Sequence, residues 1–265
     1  MPAAVAAELE ADAERRFGGL RRLYGDADYA RLRAARFAVV GLGGVGSWVA
    51  EALARSGVAG LVLIDFDQVA ESNINRQIQA LGSTVGLAKG EALRRRIADI
   101  HPGCAVDFVE AFVEPPRGDA PGNWPGLLTA PVDGLVDACD QVRAKAELAA
   151  WARATSTPFV CVGAAGGKRR PQAVEVEDLG AVTHDPLLAS LRQRLRKFHG
   201  APRSGRVDLA CVFSREAVQR PAAEEGEACA VDGTLNCAGY GSSVMVTAGF
   251  GMTAAAELLK QFLCS

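Results

Sequence analysis

Residues 36–47 read Arg36-Phe-Ala-Val-Val-Gly-Leu-Gly-Gly-Val-Gly-Ser47, and this stretch decides the fold. An apolar run leads into Gly41-Leu-Gly43-Gly44-Val-Gly46, after which apolar residues recur every three to four positions through Leu53. This change of spacing predicts a buried strand, a tight glycine turn and a helix. Glycines let a phosphate approach the backbone closely, and the N–H groups at a helix start attract anions. The stretch therefore indicates a nucleotide-binding turn, with a plain strand–helix turn as the alternative.

Strands and helices alternate along the chain after this turn. Further strands are predicted at 60–65, 105–109, 132–138 and 158–162, and helices at 89–100, 144–154, 186–198 and 244–259. Alternation of this kind, with β-branched strand cores, predicts an α/β Rossmann-like fold: a mostly parallel sheet with helices on both faces. We expect an N-terminal helical segment over 1–35, a nucleotide-binding domain over 36–167, and an extension over 168–265 that has long loops and packs on the same domain. The helical segment should break at Gly18-Gly19 and at Gly25.

The composition excludes several classes of protein. The chain has 265 residues, of which 49% are hydrophobic and 23% charged, so it is expected to form a globular core. Its 29 Lys and Arg against 31 Asp and Glu exclude a uniformly basic coat for nucleic acid, although not a local basic patch. The 7 Cys form no CxxC pair, which suits reduced thiols in the cytoplasm and excludes a zinc ribbon.

The apolar stretch 244–259 is too short and too interrupted for a membrane span, which needs about 20 apolar residues. Association with a membrane surface through this helix stays open. The Ala- and Glu-rich start of the chain does not have the pattern of a secretory signal.

Polar residues cluster where the predicted strands end, at the edge of the sheet where α/β proteins bind ligands. Asp65 closes the second strand, at the place where dinucleotide folds put a ribose-binding acid. The other candidates for this edge are Asn73, Arg76, Lys89 and Asp140. Two cations beside a glycine loop suit a triphosphate, and a carboxylate at a strand end suits a magnesium ion. With Asp65 alone, a dehydrogenase is an alternative function. Each of these residues taken singly is better explained as a surface charge, and only their occurrence at one edge favours a site.

Taken together, these motifs resemble the adenylating fold of ubiquitin-activating enzymes and of the ThiF- and MoeB-type bacterial activators of sulfur-carrier proteins. The resemblance covers about residues 16–167 and rests on Gly41-x-Gly-Gly-x-Gly-Ser47, Leu63-Ile-Asp-Phe-Asp67, Ser72-Asn-x-Asn-Arg-Gln77, Lys89 and Asp137-x-x-Asp140. Within this superfamily the chain is similar to the tRNA threonylcarbamoyladenosine dehydratases. That similarity rests on Arg16-Phe-Gly-Gly19, Arg22-Leu-Tyr-Gly25, Gly163-Ala-Ala-Gly-Gly167, Asp185-Pro-Leu, Cys211-Val-Phe-Ser214 and Cys237-Ala-x-x-Gly241, so that nearly the whole chain is covered.

The resemblance implies a role for each matching residue. ATP would lie on the glycines 41, 43, 44 and 46, with its ribose on Asp65 and its phosphates near Asn73, Arg76 and Lys89; Asp67 and Gln77 are further candidates for the nucleotide site. Asp140 would hold Mg²⁺ and organise the adenylation. Family members are typically homodimers, and Arg16 would lie near the partner's nucleotide site. A monovalent cation near 163–167 is a further expectation.

The implied activity is ATP-dependent loss of water from N6-threonylcarbamoyladenosine in tRNA, through an adenylated carboxylate. The absence of CxxC zinc ligands favours this activity over the alternative, an adenylating activator of a ubiquitin-like sulfur-carrier protein. A non-catalytic nucleotide-binding scaffold is the third hypothesis. Cys237 is a candidate acceptor of an acyl group, or of a persulfide from a cysteine desulfurase, with a buried structural thiol as the alternative.

A basic patch for tRNA is predicted in the extension, since the formal net charge of -2 hides a local excess of cations there. Its members are Lys168, Arg169, Arg170, Arg192, Arg194, Arg196 and Lys197, with Arg203 and Arg206 close behind. A solvated helix face is the alternative explanation for such a run of charge.

Overall fold

The computed structural model describes residues 3–219 and 240–265, with side chains from residue 12 onward. In this part of the chain one sheet contains β1 (Arg36–Val40), β2 (Gly60–Ile64), β3 (Ala105–Val109), β4 (Gly134–Asp137), β5 (Phe159–Val162), β6 (Val174–Asp178) and β7 (Ala210–Ser214). The strand order is β3-β2-β1-β4-β5-β7-β6, and all neighbours are parallel except β6 and β7. The predicted Rossmann-like, mostly parallel sheet is confirmed.

Helices cover both faces of this sheet. They are α1 (Ala3–Ala34), α2 (Gly46–Arg55), α3 (Lys89–Ile100), α4 (Val142–Thr155), α5 (Pro186–Phe198) and α6 (Val244–Cys264). Side chains of β1 alternate between the faces: Phe37 and Val39 pack with α2, α3 and α6, whereas Ala38 and Val40 pack with α4 and α5. This explains why β1 is apolar at every position from 37 to 40, since neither face of a central parallel strand meets water.

Helix α6 packs lengthwise on α2 and buries its apolar side in the core. Phe250, Ala254 and Leu258 are inaccessible to solvent. The two helices meet closely at Gly251, where an added Cβ would lie 2.7 Å from Trp48 Cβ. Within residues 3–219 and 240–265, no helix has the length and hydropathy that crossing a membrane would require.

The sequence predictions were wrong at two places. Helix α1 continues through Gly18-Gly19 and kinks only at Gly25, where φ is 81°. Strands β6 and β7 were not predicted, because β6 is a half-exposed edge strand with alternating Val and Glu, and β7 is a short run between polar stretches. Both strands come from the region 168–265, yet they extend the same sheet as β1–β5. The division at residue 167 therefore does not separate two sheets.

Candidate functional site

A cleft opens at the carboxyl ends of the parallel strands, where the strand order reverses between β1 and β4. It encloses about 1360 Å³, including the part open to solvent. Loops that follow β1, β2, β3, β4 and β5 line it, together with the first turns of α5 and α6. Ligands of open α/β sheets bind at this kind of reversal point.

The glycine loop after β1 forms one wall of the cleft. Gly41 has a φ of 85°, and a Cβ there would lie 2.8 Å from the backbone nitrogen of Cys139. A Cβ on Gly46 would lie 1.7 Å from the carbonyl oxygen of Gly41, so the turn can be built only without side chains at both positions. Gly41, Gly43 and Gly44 line the cleft.

The peptide groups of Leu42, inside this loop, are held from both sides. Its N–H donates to Asp65 Oδ2 at 2.5 Å, and its carbonyl accepts from Gln79 Nε2 at 2.9 Å. Gln79 is almost fully buried, and no local sequence pattern indicates its role, because its partner lies 37 residues earlier. The loop is therefore positioned by two side chains before any ligand binds.

Asp65, Asp67 and Lys89 form an acidic and basic group beside the loop. Asp65 Oδ1 accepts from the N–H of Asp67 at 2.7 Å, and Asp67 Oδ2 pairs with Lys89 Nζ at 2.7 Å. Burial raises the pKa of Asp65, against the opposing effect of the Lys89 ammonium and the backbone N–H donors. Lys89 is only 6% exposed, and it is one of the residues that line the cleft.

The segment 72–77 contributes one of its three predicted side chains to the cleft. Arg76 lines it, and its carbonyl accepts from Trp48 Nε1 at 3.0 Å and from Thr247 Oγ1 at 3.3 Å. Asn73 and Gln77 are buried outside the cleft lining: Asn73 Oδ1 accepts from the N–H of Ala70, and Gln77 Oε1 accepts from Gln79. Their hydrogen bonds therefore stabilise the conformation of the segment 72–77.

Asp140 lies in the cleft just after β4, and the backbone before it is held by hydrogen bonds to buried side chains. There Lys145 Nζ lies 3.0 Å from Asp137 Oδ2 and donates to the carbonyl of Cys139 at 2.9 Å, and both charged side chains are inaccessible to solvent. Burial alone would lower the pKa of Lys145, but the Asp137 carboxylate more than compensates and raises it. The N–H of Cys139 donates to Asp137 Oδ1 at 3.2 Å. The buried pair thus holds the residue before Asp140 by both of its peptide groups.

Some residues of the predicted basic patch are exposed, whereas others donate hydrogen bonds to backbone carbonyl groups. Lys168 is buried and donates to the carbonyls of Ser214 and Glu216, so its assignment to a surface patch was wrong. Arg192 is half-buried and donates to the carbonyls of Leu179 and Val182.

At the end of α5, Lys197 is exposed and Arg194 is half-buried. Arg194 and Lys197 both lie about 5.0 Å from the ring centroid of Phe198, which is 58% exposed and was not predicted. Arg196 donates to the carbonyl of Pro202, while Arg169 and Arg170 are exposed. Arg203 is exposed, and Arg206 is also exposed and pairs with Asp208.

Three of the described thiols are poor nucleophiles, those of Cys104, Cys139 and Cys161. Burial raises the pKa of Cys139 and of Cys161 well above the usual value, and it raises the pKa of Cys104 to about 11. Cys237 lies outside the described residues. Among the residues that are described, no group of three or more His, Cys, Asp or Glu side chains is arranged to hold a metal ion.

A parallel sheet whose reversal point gathers a glycine loop, strand-end carboxylates and two cations defines a nucleotide-binding α/β protein. The chain belongs to the ThiF family, whose model matches residues 17–264. This confirms the resemblance to adenylating enzymes.

Two relatives and one solved structure are similar along nearly the whole chain. The tRNA threonylcarbamoyladenosine dehydratase of Escherichia coli (strain K12) is 42% identical, covering 94% of this chain and 93% of the relative. The Haemophilus influenzae protein of the same name is 39% identical, covering 94% of each. The crystal structure of the E. coli tRNA N6-threonylcarbamoyladenosine dehydratase in complex with ATP matches with a TM-score of 0.83 and 41% identity, covering 95% of both chains.

Proposed function

We propose that this protein is an ATP-dependent dehydratase that cyclises N6-threonylcarbamoyladenosine in tRNA through an adenylated carboxylate. The observation that carries the proposal is the 42% identity, over 94% of the chain, to a relative that bears this name. The cleft supports it independently, because its glycine loop, carboxylates and cations are the groups that carboxylate activation by ATP requires.

ATP would lie across the strand ends from β2 towards β4. The Asp65 carboxylate would accept a hydrogen bond from a ribose hydroxyl, and the glycine loop would bring backbone N–H groups to the phosphates. Lys89 and Arg76 both line the cleft and would neutralise charge on the triphosphate. Asn73 and Gln77 would act by supporting the Arg76 segment.

The chemistry activates a carboxylate whose leaving group would otherwise be oxide. A threonyl carboxylate oxygen attacks the α-phosphorus, pyrophosphate leaves, and an acyl adenylate forms. A nitrogen of the carbamoyl group on the same substrate then attacks the acyl carbon, loses its proton, and AMP leaves. The nucleoside has lost one water, and the ring closure gains from its intramolecular geometry. Lys89 and Arg76 would stabilise the negative charge that builds on the phosphates.

Magnesium fits the donors present. The Asp140 carboxylate lines the same cleft as Asp65, Asp67 and Lys89, at the end of β4. One carboxylate together with phosphate oxygens is a common ligand set for Mg²⁺, which would supply charge neutralisation when bound with ATP. A monovalent cation near 163–167 would depend on backbone carbonyl oxygens.

The tRNA would dock on the exposed end of α5 and on Arg169 and Arg170. Two cations around the exposed Phe198 ring combine positive charge with an aromatic face, the two features that RNA-binding surfaces use. We assign binding of the tRNA substrate to the region 168–265, which acts as a substrate-facing extension.

Three further proposals concern context. The protein would act in the cytoplasm as a homodimer, in which Arg16 serves the partner's nucleotide site. In its own chain Arg16 donates to the carbonyls of Asp99 and Ile100, at the end of α3 away from the cleft. Light scattering would measure the molar mass of the dimer.

Cys237 would accept either the acyl group of the substrate or a persulfide sulfur from a sulfur-transfer partner. Unchanged turnover by Cys237→Ser would remove it from the mechanism.

The deciding experiment is mass analysis of nucleosides after the protein is incubated with modified tRNA, ATP and magnesium. We expect a nucleoside that is lighter by one water, with release of AMP and pyrophosphate. An unchanged nucleoside together with adenylation of a sulfur-carrier protein would transfer the assignment to the carrier-activating class.

A further inference from the structure

Asp185 carries a buried carboxylate that binds two separate parts of the chain. It is 3% exposed and stands at the N-cap of α5, where Oδ1 accepts from the N–H of Leu188 at 3.0 Å. Oδ2 accepts from the N–H of Ala164 at 2.8 Å, in the loop that follows β5. Capping a helix needs one acceptor oxygen, so the second hydrogen bond serves a different purpose.

The loop is shaped around this carboxylate. A Cβ on Gly163 would lie 2.3 Å from Asp185 Oδ2, so no side chain fits between the loop and the carboxylate. Gly163, Ala164, Ala165 and Gly166 all line the cleft, as does Pro186 at the start of α5. Asp185 therefore determines where this wall of the cleft stands relative to α5.

This wall lies on the side of the cleft that is farther from the proposed nucleotide-binding groups. The strands that carry the nucleotide-binding groups are β1 and β2, with Asp140 at the end of β4, and β5 is the next strand beyond β4. Neighbouring strands are about 4.8 Å apart, so the loop after β5 stands roughly 10 Å from the glycine loop. A carboxylate that reaches the nucleotide from the β5 side of the cleft would pass this wall, and α5 continues from it to Arg194 and Lys197.

We propose that Asp185 is a positioning residue. By accepting from the Ala164 N–H it fixes the loop after β5 against α5, so that the tRNA carboxylate meets the nucleotide in the orientation needed for attack. The inference rests on the proposed function. Its role as a helix cap is separable from this positioning role, because serine caps helices as well as aspartate does but has only one side-chain oxygen.

The test compares two variants of Asp185 with one control. Asp185→Ser keeps the cap and loses the bond to Ala164. Asp185→Asn keeps the shape, but its amide offers one acceptor oxygen for the N–H groups of Ala164 and Leu188, so that one of the two meets a donor. The control is Asp178→Ser, since Asp178 accepts from the backbone of Gly180, Val207, Asp208 and Leu209 at the opposite edge of the sheet.

Steady-state kinetics with modified tRNA, the dissociation constant for ATP and hydrogen exchange of the peptide 162–168 are measured for each protein. Both Asp185 variants should lower kcat/KM for tRNA by about tenfold or more, the loss expected for one charge-assisted hydrogen bond. ATP affinity should stay within about twofold, and exchange of 162–168 should accelerate. Asp178→Ser should leave kcat/KM and that exchange as in the wild type.

Wild-type turnover by Asp185→Ser, or an equal loss in Asp178→Ser, would overturn the positioning role. If the wild-type protein itself leaves the nucleoside unchanged, the proposed function fails. Hydrogen exchange then decides the inference alone: unaltered exchange of 162–168 in both Asp185 variants would refute it.

Discussion

The buried Asp137–Lys145 pair offers a sharp test of how the cleft floor is built. Lys145→Met removes the ammonium and leaves the Asp137 carboxylate buried without its cation. Breaking a buried pair in this way costs about 3–5 kcal/mol, a large part of the roughly 5–15 kcal/mol that stabilises a typical domain. We expect urea denaturation to show a loss in this range, and turnover to fall with it because the Cys139 backbone next to Asp140 is released.

The double variant Asp137→Asn with Lys145→Met removes the stranded charge and should recover about half of the loss or more, because a buried pair replaced by neutral groups is often no less stable. With Asp137→Asn measured as well, the cycle should give a coupling energy of about 2 kcal/mol or more.

The matched control is the surface pair Arg206–Asp208, at 3.1 Å, in which the side chains are 79% and 77% exposed. Arg206→Met should leave the midpoint of urea denaturation unchanged. If Lys145→Met is as mild as this control, or if the coupling energy is below about 0.5 kcal/mol, the reasoning is refuted.

Three further outcomes are expected. Asp140→Asn should lower tRNA-dependent ATP consumption by about 10²-fold or more, measured as pyrophosphate release, and near wild-type consumption would count against its assignment. Neutralising Arg194 and Lys197 together should weaken tRNA binding and reduce the magnitude of the slope of log K against log salt by about 2; an unchanged slope would exclude this surface. Burial, reinforced by the Arg33 guanidinium, lowers the pKa of His101 from 6.5 to about 4. The unfolded chain therefore binds the proton more tightly, and stability should fall by up to about 3 kcal/mol as pH drops from 6.5 through 4; denaturation midpoints of His101→Asn should lack that component.

The central half of the fold could be predicted because its signals are local. A local pattern of about a dozen residues, either a change of spacing or a charge at the end of an apolar run, predicts each of three elements. These are the glycine turn at 41–46, the strand ending at Asp65 and the helix from Lys89. Parallel strands bring their carboxyl ends to one edge, so the sequence predicts that Arg76, Lys89 and Asp140 lie in one cleft, which all three line in the structure.

The remaining features depend on partners far away in the sequence. Nothing near Gln79 indicates that its amide holds the carbonyl of Leu42, and a run of charges does not show that Lys168 turns inward to two carbonyl groups while Lys197 stays in solvent. Strand β7 was missed for a related reason: five residues between polar stretches become a buried strand only because β5 and β6 pair with them.

The hydrogen bond from Thr247 to the carbonyl of Arg76 joins residues 171 positions apart, and it has a consequence for biosynthesis. Domains begin to fold from the N-terminal side while the ribosome is still adding residues. The strands and the glycine turn can assemble early, but Arg76 gains its support from Thr247 only once α6 has emerged and packed on α2. We therefore expect a nascent chain that has all of its nucleotide-binding strands to remain unable to bind ATP firmly until synthesis has passed α6.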